Sequence, residues 1–101
     1  DEATHIIPAR LDRGAASLLR DVMKREGINL NEAINGEFLP ARSVAGDPRV
    51  GHHGNGLHSA REFNAMHDHL KVLSGAEFKE GLRFIREVHQ SGMSFADYVG
   101  Y

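Results

Sequence analysis

Residues 44–57 constrain this chain more than any other stretch. Gly46, Pro48, Gly51, Gly54 and Gly56 fall within it. Glycine makes backbone ordering costly and proline removes a hydrogen-bond donor, so neither helix nor strand is expected there. A long loop therefore divides the chain into a front part with two short β-prone runs and a back part patterned for helices.

In front of the loop, His5-Ile6-Ile7 reads as a short strand stopped by Pro8. Residues 14–26 read as a helix, with Ala15, Leu18, Leu19, Val22 and Met23 at helical spacing and Gly27 as its stop. Asn35-Gly36 signals a turn, and Glu37-Phe38-Leu39 follows as a second strand. Behind the loop, Ser59-Ala60-Arg61-Glu62 fits a capping box opening a helix to about Leu73, with Phe63, Met66, Leu70 and Leu73 as its core stripe. Ser74-Gly75-Ala76-Glu77 fits a second box. The helix after it carries Phe78, Leu82, Ile85 and Val88 on one face and has Gly92 near its end. Phe95–Val99 is apolar enough to pack. The expected fold is α+β, predominantly helical, in a single domain spanning residues 1–101.

Composition narrows the chemistry. The 101 residues include seven histidines and no cysteine, so disulfides and thiolate metal sites are excluded. A metal would have to use His, Asp, Glu or Asn. No apolar run approaches the roughly 18 residues needed to cross a membrane. The net charge of −2 lacks the basic footprint of a phosphate-binding surface, although a bound divalent cation would add charge that this count omits. The chain begins at Asp1 with its first motif at Ala3, as expected of a segment from the C-terminal end of a longer polypeptide.

Two places could carry chemistry. His5 stands beside a short apolar strand, and imidazole suits proton transfer near neutral pH because its reference pKa is about 6.5. The plainer reading is a histidine that ends a strand and hydrogen-bonds backbone. His52, His53 and His58 fall within Gly51–His58, in and just after the glycine-rich loop. Neutral imidazole is a common metal ligand; the plainer reading is a solvated loop that contains histidine. Glu62 could orient an imidazole, but the capping box is the preferred reading. His67 and His69 read as boundary residues, and His89 as a helix-dipole partner. Arg10, Arg13, Arg42, Arg49 and Arg61 could hold phosphates or be solvated surface. Asn35 reads either as a turn residue or as an amide tying a loop across the site.

Ala3-Thr4-His5-Ile6-Ile7-Pro8, then Asn35-Gly36-Glu37-Phe38-Leu39-Pro40, then His53 and Leu57-His58-Ser59 with Phe63 beyond, resemble the AHH family of nucleases in the HNH/endonuclease VII superfamily. The similarity covers most of the chain. It implies a ββα-metal core in which His5 activates water, Asn35 braces the loop that orients His5, and His53 and His58 hold one divalent cation (Mg, Mn, Zn or Ni). It further implies a DNase toxin domain, monomeric and without membrane contact. Such a domain is an antibacterial effector delivered by a secretion system into the cytoplasm of a target bacterial cell and blocked by a cognate immunity protein. An RNase on the same frame, or a non-catalytic His-rich metal-binding or interaction module, are the alternatives. Thr4 departs from the family pattern, standing where its signature has the first of two histidines.

Overall fold

The computed structural model describes residues 1–49, 51 and 55–101. The order is strand β1 (Glu2–His5), helix α1 (Ala16–Arg25), a turn of 3-10 helix (Ala33–Asn35), strand β2 (Gly36–Leu39), and helices α2 (Ala60–Leu70), α3 (Gly75–Ser91) and α4 (Phe95–Val99). The described residues form an α+β fold with four helices and a two-stranded antiparallel sheet. No helix among the described residues is long and apolar enough to cross a membrane.

The strands pair in the register Glu2 to Leu39, Ala3 to Phe38, Thr4 to Glu37 and His5 to Gly36. The first strand therefore ends at His5, where the sequence pattern has it begin. The reason lies in Ile6 and Ile7, which are 1% and 0% exposed. Successive strand side chains point to opposite faces, so continuing the strand would drive one isoleucine out of the core. The chain bends after His5 and both enter the helical core instead.

That core is built by the helices. Leu19 and Met23 of α1, Phe63 and Met66 of α2, Leu82 and Ile85 of α3 and Phe95 of α4 are all buried within it. Leu18, which shares the helical spacing of α1, is half exposed at its rim. Gly14 lets α1 and α2 approach closely. Its φ is +50°, and a Cβ there would lie 2.7 Å from the Ala60 carbonyl oxygen.

Helix ends follow local chemistry. Gly27, at φ +70°, stops α1, with the Ile28 amide returning to the Met23 carbonyl. Ser59 caps α2 through its hydroxyl, which accepts from the Glu62 amide at 3.1 Å. Ser74 makes no such bond. The Gly75 amide at the start of α3 instead donates to Glu26 Oε1 at 2.7 Å. Helix α2 ends at Leu70 and not at Leu73, and Arg25 donates to the carbonyls of Lys71 and Leu73 beyond it. The end of α1 thus clamps the α2–α3 turn, a role the second Ser-x-x-Glu pattern does not disclose.

Candidate functional site

His5 closes β1 and is half-buried at the wall of an open cleft of about 620 Å³. The cleft lies between the sheet, residues 30–33 and α3; Thr4, Asn31, Phe38 and Arg86 also line it. The His5 Nε2–H donates to Asn31 Oδ1 at 2.9 Å. An amide oxygen only accepts, so this bond places the ring hydrogen on Nε2 and leaves the lone pair of the neutral ring on Nδ1. Asn31 was not singled out by sequence. Its signal is indirect: it sits in a tight Asn29–Glu32 turn, where the Asn29 side chain accepts from the Asn31 amide.

Asn35 is fully buried. Its Oδ1 accepts from the Ile7 amide at 2.8 Å, and its Nδ2 donates to the carbonyls of Ile7 and Leu30 at 2.9 and 3.0 Å. Its own carbonyl accepts from the Ile6 amide at 2.8 Å. The bend that follows His5 is therefore tied on both of its residues to the segment entering β2. This bracing exceeds what a turn residue requires.

His58 is half-buried just before α2 and lies 6.1 Å from the Phe63 ring, nearly parallel to it. Its carbonyl accepts from Arg13. His53, the other expected metal ligand, lies outside the described residues, as does His52. Among the described residues, no group of three or more His, Asp or Glu side chains is placed to hold a metal ion. These residues supply one imidazole, His58, of the expected pair. Thr4, which lines the cleft, carries only a neutral hydroxyl, a weak ligand for a divalent cation.

The arginines sort differently from their sequence order. Arg49 pairs with Asp1 and Asp47, and Arg61 with Asp97 and the Tyr101 carbonyl. Both are committed to internal contacts. The arginine in the cleft is Arg86, which was not among those singled out.

His89 and Glu62 also take other roles than expected. His89 is 1% exposed and is not an exposed helix-end partner. Its Nδ1 meets both oxygens of Glu37, at 3.0 and 2.9 Å, and its Nε2 meets Glu62 Oε2 at 2.7 Å. Burial opposes charge on this imidazole, but hydrogen bonds to the two carboxylates and their negative charge outweigh it and push its pKa up to about 9. It is an imidazolium held between two carboxylates. Glu62 does not close the α2 capping box. It turns inward, where its two oxygens also accept from the amides of Phe95 and Ala96, each at 2.8 Å. It does orient an imidazole, that of His89 on α3.

Comparison with protein-family models, curated proteins and solved structures finds no match for the chain.

Proposed function

We propose that the domain is a metal-dependent endonuclease acting on DNA, with His5 as its general base. One observation carries the reading: His5 sits on a cleft with Nε2 held by Asn31, Nδ1 without a hydrogen-bond partner among the described residues, and the following backbone fixed by Asn35. A general base needs a fixed ring with one accessible lone pair, and this arrangement supplies both. The connectivity β1, β2, α2 with His5 ending the first strand and His58 preceding the helix is compatible with the ββα-metal core that the sequence resemblance implies.

In this reading His5 Nδ1 takes a proton from water as the water oxygen attacks phosphorus. The bond to the 3′ oxygen breaks and that oxygen leaves with its electron pair. Asn31 keeps the second ring nitrogen protonated through the step, and Asn35 holds the ring's approach angle by fixing the bend behind it. A divalent cation, with His58 and His53 as its ligands from this chain, would stabilise the negative charge that develops on phosphate and leaving oxygen. The wider role that goes with this chemistry is an antibacterial effector, delivered into a target cell and blocked by an immunity protein.

The test is incubation of plasmid DNA, of single-stranded DNA and of RNA with the purified domain, with Mg²⁺, Mn²⁺ or EDTA, beside His5→Ala. Cation-dependent DNA cleavage that falls by at least about 100-fold in His5→Ala is the expected result, since a positioned base contributes about 10²–10⁴-fold. Cleavage by His5→Ala at the wild-type rate would remove His5 from the mechanism. An inert wild-type domain under every cation would refute the nuclease reading.

A further inference from the structure

Resting on the nuclease reading, we propose that the His5 cleft is built for an unpaired nucleotide, with Phe38 as the platform for its base and Arg86 as the ligand for its phosphate. Strand residues two apart share a face. The register therefore sets Ala3, His5, Gly36 and Phe38 on one side of the sheet, and Thr4, Glu37 and Leu39 on the other. Glu37 and Leu39 are buried, whereas Phe38 is 64% exposed. A phenyl ring left in water on the wall of a cleft, on the face that bears the candidate base, is a stacking surface. Gly36, opposite His5, has no side chain and leaves the approach to the imidazole open.

The charge in the cleft points the same way. Arg86 is half-buried on α3, and one guanidinium nitrogen donates to the Gly36 carbonyl at 3.3 Å. Gly36 is the residue paired with His5, so this bond anchors the guanidinium to the strand position opposite His5, in the cleft that both residues line. Among the described residues Arg86 forms no ion pair. The two carboxylates lining the cleft are already engaged: Glu37 by His89, and Glu32 by the Asn29 amide. The remaining guanidinium donors match a phosphate. The cleft's volume, about 620 Å³, lies in the range of about 300–1,000 Å³ that encloses a small ligand. A base can reach Phe38 only where it is not stacked in a duplex, which selects single strands and unpaired positions.

The binding test uses the full chain carrying His5→Ala, in EDTA, so that nothing is cleaved. Fluorescence anisotropy is measured with a short oligothymidine, the matching oligouridine and a blunt duplex of equal length. The single strands are expected to bind more tightly than the duplex. Adding Phe38→Ala should weaken single-strand binding by about 5- to 100-fold, and Phe38→Trp should restore it. Arg86→Gln should weaken it and lower the salt slope by about 0.7, the loss of one phosphate contact. Phe38 is exposed, so Phe38→Ala leaves the core intact, and circular dichroism checks the fold of each variant. Equal binding of duplex and single strand, or unchanged binding by Phe38→Ala, overturns the proposal even if the wild-type protein cleaves DNA. Binding that depends on Phe38 and Arg86, in a protein that cleaves nothing, supports the subsite and refutes the nuclease reading alone. No binding to any probe overturns the subsite alone, since the cation-dependent cleavage assay decides the nuclease reading separately.

Discussion

Asn35 shows how much one buried amide can fix. Its side chain serves both backbone groups of Ile7 and the carbonyl of Leu30, and nothing else among the described residues offers those groups a partner. Replacing it with Ala would strand buried donors and acceptors that each cost about 1–3 kcal/mol. Asn35→Ala is expected to lower unfolding stability by about 3 kcal/mol in urea titration, and to reduce cleavage more than binding because the bend behind His5 loosens. His89 gives a second expectation, with a definite sign. Its folded pKa, about 9, lies above the ordinary value of 6.5. The stabilisation is therefore complete below about pH 6.5 and lost as pH rises through about 9. A shift of this size corresponds to roughly 3 kcal/mol. Urea midpoints should fall between pH 6.5 and 9.5 in the wild type, and a flat profile there would mean that His89 is neutral when folded. At this scale the sequence was partly legible. His5, Asn35 and His58 stand in short motifs. The contact that joins Glu37, Glu62 and His89 was not legible, because the three meet across separations that no local pattern records.

At the scale of elements, α1, α2 and α3 were readable because each buries a stripe at a spacing of three to four residues, whereas α4 buries the adjacent Phe95 and Ala96 and has no such stripe. The strands were not readable in phase. Glu2-Ala3-Thr4 carries no alternation that marks a strand, and Ile6-Ile7 mimics one while belonging to the core. The two Ser-x-x-Glu patterns diverged for a tertiary reason. Glu62 found buried partners on α3 and α4, and Glu26 reached the first amide of α3 before Ser74 could. At Gly14, just before α1, the chain lies close against the backbone of α2. Gly14→Ala must place a methyl group against the Ala60 carbonyl and adopt a positive φ that alanine resists. It is expected to cost at least about 2 kcal/mol, read as a lower midpoint in thermal unfolding monitored by circular dichroism. Gly27→Ala is the control, since a Cβ at Gly27 would meet nothing within 4 Å; it carries only the φ penalty and should cost less.

For the whole molecule, the sheet is small and the helices supply nearly all of the core, so the cleft is carried on a helical frame with the strands as its wall. The frame closes at α4. This helix has five residues, far fewer than the roughly 12–15 that an isolated helix needs in water. It persists because Phe95 is buried and because Glu62 accepts from the amides of Phe95 and Ala96. Glu62 in turn is joined to His89 and through it to Glu37 on β2. Helices this short ordinarily fray, and their amides trade hydrogen for deuterium within moments of transfer to heavy water. Here the Phe95 and Ala96 amides can be released only when the buried triad comes apart. They should exchange as slowly as amides in the middle of α3, so that a label on the five-residue helix times the opening of the core beneath it.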